Sequence, residues 1–171
     1  MRFLLLCLAC VAGVAAAQVK SDWERDNEER LKQSREEVVP PPRLERARLV
    51  ELQLDGESEF RYLVDAASVS VGADRIVRYV LVARSASGVE NVSFEGLRCP
   101  GEYRVYAVGR ADGSWAGRAG GWRAVPRDAR AGQNALARRY LCPARVAIQS
   151  AEEGRKALRE GGHPAARSKE Y

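Results

Sequence analysis

The chain has one histidine and one methionine in 171 residues. A histidine-built metal cage and a methionine-lined groove are therefore excluded. Lysine is also scarce, with 4 against 24 arginines. No apolar run reaches the roughly 18 residues that a membrane-spanning helix needs. There is no Walker loop, no G-x-G-x-x-G, no H-E-x-x-H and no G-x-S-x-G. Nucleotide, dinucleotide, zinc-protease and nucleophile-elbow chemistry thus lack their usual signatures, and no cofactor and no resident metal are expected. A Ser–His–Asp triad fails as well, because its only available base would be His163, expected to be solvated in a polar tail spanning 163–171.

The remaining composition is that of one folded domain. Charged residues make up 30% and hydrophobic residues 46%, and the net charge is +5. Residues 1–17, MRFLLLCLACVAGVAAA, have a basic start, an apolar stretch and a small-residue end. This is the pattern of a secretory signal peptide, with cleavage expected between Ala17 and Gln18 and a periplasmic or secreted destination. A lipoprotein signal built on Cys10 is the weaker alternative, since Cys7 stands where leucine belongs.

Removing the leader leaves Cys99 and Cys142. Two cysteines in an exported chain read as one structural disulfide. It would close a segment of 43 residues (142 − 99), worth roughly 4 kcal/mol by chain entropy. Redox or metal chemistry is the less favoured reading, because the pair is not C-x-x-C and no histidine lies nearby.

Residues 18–37 hold seven acids and five bases with little to bury. They are expected to form a solvated arm, followed by an extended Pro40–Pro41–Pro42 connector that completes an arm-and-linker segment of 18–42. Strand patterns begin after Arg43 and fill a single domain spanning 43–162. Alternation runs through Arg48–Leu54, Phe60–Val64 and Ser68–Val71. The longest β-branched run, Arg75–Arg84, is expected to be a central strand. Asn91–Leu97, Tyr103–Val108, Trp115 and Trp122–Val125 continue the meander through Gly-rich turns. A short helix capped by Asn134 is expected over Ala135–Leu141, and a second should start at the capping box Ser150-x-x-Glu153 and stop at Gly161–Gly162. The expected fold is α+β, a twisted antiparallel sheet of about five to seven strands with one or two short C-terminal helices.

Several uncommon residue combinations follow one another along this stretch. They include Val64-Asp65 with Ser68, Val71-Gly72-Ala73-Asp74, Val77-Arg78-Tyr79, Asn91-Val92-Ser93, Glu95-Gly96 with Arg98-Cys99, Tyr106-Ala107 with Gly109-Arg110, Trp115, Trp122, and Tyr140 with Cys142-Pro143. Over about residues 40–160 the chain resembles the conserved-neisserial-protein-like (CNP-like) family of exported proteobacterial proteins. The resemblance implies export. It implies no known reaction, substrate or cofactor, so no catalytic residue is carried over.

Ten arginines face three acids between Arg98 and Arg145, interleaved with Tyr103, Tyr106, Trp115, Trp122 and Tyr140. Arginine forks bind planar anions bidentately and stack on rings. The candidate ligand-binding residues are Arg78, Arg98, Arg104, Arg110, Arg118 and Arg123. The competing view makes these arginines an outward-facing solvated surface. Arg78, on the presumed central strand, needs a partner, and Asp65 or Asp74 could supply it. The leading functional expectation is a non-enzymatic accessory or binding protein of the envelope. Its partner would be an envelope component or an anionic ligand (lipid phosphate, anionic glycan or acidic peptide) rather than genomic nucleic acid. One alternative is a small hydrolase using Asp65, Asp74 or Glu95. Another is a structural module that accepts a partner strand on an open sheet edge.

Overall fold

The computed structural model describes residues 36, 37 and 39–167. The leader and most of the charged arm expected from the sequence lie outside the described residues. Among the described residues, seven strands form one antiparallel sheet. β1 is Leu49–Glu51, β2 Phe60–Val71, β3 Val77–Ser85, β4 Glu90–Arg98, β5 Glu102–Gly109, β6 Trp115–Gly117 and β7 Arg123–Ala124. The order is β1-β2-β3-β4-β5-β6, with β7 pairing the start of β5. The β-branched run is central, as its two-sided apolar pattern predicts. Val77, Tyr79 and Leu81 point to one face and Val80 and Val82 to the other, and all are buried.

Two runs expected as separate strands form one, because β2 carries an irregularity where its register shifts between Asp65 and Ser70. The polar residues there replace the missing ladder. The Ser68 hydroxyl donates to the Asp65 carbonyl at 2.6 Å and accepts from the Val80 N–H at 2.8 Å. The Asp65 carboxylate accepts from the Ala67 and Glu45 N–H groups at 2.9 and 2.7 Å. A buried backbone group without such a substitute would carry a desolvation penalty.

The helices close one face of the sheet. α1, Gly132–Ala135, runs directly into a π-helical turn, Leu136–Tyr140, followed by a 3-10 turn at Pro143–Arg145. Asn134 does not cap this helix. It lies inside it, and its side-chain amide donates to the Pro126 carbonyl at 2.7 Å. α2, Ala151–Arg159, starts as the capping pattern predicts. Ser150 Oγ accepts from the Glu153 N–H, and the Glu153 carboxylate reaches back to the Gln149 N–H. Gly161 and Gly162, both at positive φ, end it. A short α3, Pro164–Arg167, follows. His163 is not a free tail residue. Its Nε2 lies 2.9 Å from Glu153 Oε1, and the ring is largely covered.

The main core lies between these helices and the sheet. Val64, Val77, Tyr79 and Leu97 meet Leu136, Tyr140, Leu141, Ile148 and Leu158. The Tyr140 hydroxyl is buried and accepts from the Gln53 N–H at 2.8 Å. The Cys99–Cys142 disulfide ties the residue after β4 to the residue two beyond the π-helical turn. The opposite face has a smaller core of Val80, Phe94 and Ala107, covered in part by Val39, Leu44 and Trp115.

Candidate functional site

The smaller core borders a groove on the sheet face away from the helices. Its floor is set by register. Arg78 on β3 stands opposite Gly96 on β4, and Gly96 stands opposite Arg104 on β5, so all three share a face. Strict alternation would then put only every second residue of β5 on that face. A bulge changes this, because the β4–β5 register shifts between Phe94, opposite Ala107, and Glu95, opposite Val105. The extra residue is Tyr106. Arg104, Tyr106 and Ala107 consequently all line the groove, as a β-bulge permits. Gly96 makes room for the ring, since a Cβ there would stand 2.6 Å from Tyr106 Oη.

The other wall is the end of the arm, Glu36–Pro42, whose described residues lie against the sheet without joining it by strand pairing. Arg78 Nη2 donates to the Glu37 carbonyl at 2.7 Å, and Trp115 Nε1 donates to the Pro42 carbonyl at 3.0 Å. The Glu37 N–H donates to Asp74 Oδ2 at 2.7 Å. Between arm and sheet lies a cavity of about 520 Å³, lined by Arg78, Arg104, Tyr106 and Trp115 with Glu36 and Val39 from the arm. The arm thus docks on the sheet through the Glu36 side chain and the Glu37 main chain, while Glu37 itself stays exposed.

The two groove arginines differ in charge balance. Arg78 is almost wholly buried and paired with Asp74, the second of its two sequence candidates, at 2.6 Å. Burial disfavours the Asp74 charge, but Arg78 and the N–H groups of Glu37 and Ile76 outweigh it and hold the carboxyl below its usual range. Arg104 meets the arm instead. Its Nη1 donates to both oxygens of Glu36 at 3.1 Å, and Trp122 Nε1 donates to the same carboxylate at 3.1 Å. Burial again opposes the charge on Glu36. Proximity to the Tyr106 hydroxyl, Trp122 and Arg104 overcomes that opposition and lowers the Glu36 pKa. Burial and the Glu36 carboxylate push the Tyr106 hydroxyl far above its normal range, so it stays a proton donor.

One donor in this cradle is unspent, and a second meets Glu36 only in poor alignment. Arg104 Nε and Tyr106 Oη are buried with no well-formed hydrogen bond among the described residues. Buried polar atoms of this kind are uncommon in native proteins, because each forfeits its hydration for nothing in return.

The other sequence candidates are distributed around this groove. Arg98 stacks on the Trp122 ring, 4.1 Å from its centroid, and pairs loosely with Glu102. Trp122 in turn meets Tyr106 edge-on at 6.4 Å. Arg123 covers the Tyr103 ring at 4.8 Å. Arg118 and Arg123 border a small cavity beside Val105. Arg110 bonds Ser114 and lines a separate depression with Arg43 and Asp112. The three carboxylates weighed for hydrolysis hold separate partners. Asp65 takes backbone N–H groups and Asp74 takes Arg78. Glu95, on the helix side, takes Tyr79, Ser93 and Gln133.

Sequence reasoning found Arg78, Arg104 and the aromatic residues but missed Glu36 as their counterpart. The available signal was the charge contrast between an acidic pair just before the prolines and an arginine-rich second half.

The fold is a disulfide-tied α+β domain, with one sheet face closed by helices and the other covered by an extended arm. The CNP1-like family matches residues 27–159, and the chain belongs to it. No curated protein and no solved structure matches the chain.

Proposed function

We propose that this protein is an exported, non-enzymatic accessory protein of the bacterial envelope, whose groove binds an anionic ligand through Arg104, Tyr106 and Trp122. The Glu36 carboxylate carries the reading. It receives two hydrogen bonds from one guanidinium and one from an indole, which is how a ligand carboxylate would be held. Arg104 Nε, without a partner among the described residues, and the Tyr106 hydroxyl, poorly aligned on Glu36, add further capacity for an acceptor. Arg78, neutralised by Asp74, contributes shape and a carbonyl contact rather than net charge. Periplasmic residence is supported by the leader pattern of residues 1–17 and is compatible with the disulfide. Short strands at both sheet edges leave little backbone to template a partner strand, which favours the groove over edge addition.

The test is a titration of the purified chain and its Glu36→Ala variant with acetate, succinate and inorganic phosphate, followed by tryptophan fluorescence. A saturable change is expected, weakened about tenfold or more by Arg104→Gln, since a hydrogen bond to a charged group contributes about 1.5–3 kcal/mol. Absence of any saturable response in both proteins would overturn the reading.

A further inference from the structure

The arm itself indicates which anion the groove takes. It presents more than a carboxylate. Along one extended segment it offers the Glu36 side chain to Arg104 and Trp122, the Glu37 carbonyl to Arg78, the Val39 side chain to the apolar floor, and the Pro42 carbonyl to Trp115. This alternation of carboxylate, main-chain carbonyl and apolar side chain is a peptide-recognition pattern. A free phosphate or an isolated headgroup would use only its first element.

Three features indicate that the segment is held loosely enough to be exchanged. Its described residues make no strand ladder with the sheet. None of its described residues from Glu36 to Leu44 is fully buried. The cradle also remains incompletely satisfied with the arm in place, because among the described residues Arg104 Nε has no partner, Tyr106 Oη meets Glu36 without a well-formed hydrogen bond, and a cavity persists beside them. Charge complementarity points the same way, since the second half of the chain is rich in arginine and the occupant is acidic.

We propose that the groove is a receptor for an extended acidic peptide segment of a partner chain, and that Glu36–Pro42 is a resident competitor that such a segment displaces. The inference rests on the reading of the groove as an anion site. An intramolecular occupant is present at high effective concentration, so the partner segment binds weakly until the arm's carboxylate anchor is removed.

The probe is a fluorescent synthetic peptide with the sequence of residues 34–45, SREEVVPPPRLE, titrated by anisotropy against the purified chain. Glu36→Ala and Glu36→Gln in the protein are each expected to tighten peptide binding on the order of tenfold or more. The second variant preserves shape and removes only the charge. Adding Arg104→Gln to either should abolish the gain, and a peptide carrying E36Q should lose it as well. Equal peptide affinity in the unmodified chain and both variants would overturn the competitor. If the variants bind acetate or phosphate saturably and bind no peptide, the anion reading survives and the peptide receptor does not. If nothing binds, both are overturned. Melting curves of each variant establish that the comparison is made between folded proteins.

Discussion

On the helix side of the sheet, Val77, Tyr79 and Leu97 are closed over by Leu136, Tyr140, Leu141 and Ile148, and the Cys99–Cys142 bridge ties helix to sheet. On the arm side, Val80, Phe94 and Ala107 form a small cluster flanked by the half-buried Val39, Leu44, Val92, Tyr106 and Trp115, and the space between arm and sheet is a cavity lined with guanidinium and aromatic groups. The helix side satisfies its polar groups internally. Tyr140 bonds Gln53, and even the buried Glu95 has three hydrogen-bonding side chains. Among the described residues, the arm side leaves Arg104 Nε without a partner and Tyr106 Oη without a well-formed hydrogen bond. The contrast divides labour along the sheet normal. One face has spent its hydrogen-bonding capacity on stability, and the other has kept part of it available for recognition.

The largest effect that would break this division is on the disulfide. Replacing both partners (Cys99→Ala with Cys142→Ala) should cost about 4 kcal/mol for a sequence separation of 43 residues. Denaturant unfolding of the oxidised chain and the double variant measures it. The loss should fall on stability, with anion titration unchanged wherever the variant is folded. An unchanged unfolding midpoint would mean that the helix side does not depend on its crosslink.

The two faces were also unequally legible in the sequence. On the helix side, period-two apolar alternation, the Ser150–Glu153 box and the cysteine pair each act locally, so strands, helix start and crosslink could be read from short windows. Departures arose where a side chain took over a backbone role. Ser68 accepts from Val80 and lets β2 run through an irregularity that looked like a break. Asn134 bonds Pro126 from inside a helix it was expected to cap. On the arm side the determining events are nonlocal. Glu36 meets Arg104 across 68 residues and Trp122 across 86. Tyr106 joins the groove only because a bulge adds a residue to β5. Neither spacing nor charge at one position encodes such a pairing, although arginine–aromatic interleaving did mark the correct half of the chain.

The arm side can be disturbed without touching the helices. A methyl group added by Gly96→Ala would stand 2.6 Å from Tyr106 Oη, 2.7 Å from its Cε2 and 3.0 Å from Ile76 Cγ2. The ring must move, at a cost of about 1–3 kcal/mol for overpacking. Because Tyr106 lies between Arg104 and Trp122, anion binding should weaken as well. Gly101→Ala is the matched control, since a Cβ there meets nothing within 4 Å. Paired unfolding and fluorescence titrations check both. Unimpaired anion binding in a folded Gly96→Ala chain would remove Tyr106 from the recognition site.

The smallest expected effect concerns Glu95 on the helix side, where three hydrogen-bonding side chains offset part of a burial penalty. Burial is the dominant influence and raises its pKa; Ser93, Gln133, Tyr79 and the more distant Arg123 charge work against it without cancelling it. The folded chain therefore takes up a proton at Glu95 at higher pH than the unfolded chain does. Stability from this group is present in full below the usual glutamate range and is lost as pH rises through the raised native value. Glu36, Asp74 and Glu90 act in the opposite sense, because their lowered values make the folded state lose stability on acidification. The difference between Glu95→Gln and the unmodified chain isolates the one group. Unfolding free energies across mildly acidic to neutral pH should favour the variant progressively toward neutrality, with the anion titration unaltered. A pH-independent difference would mean that Glu95 keeps its proton, or lacks it, throughout that range. A change in anion binding would mean that the two faces of the sheet are coupled through β4.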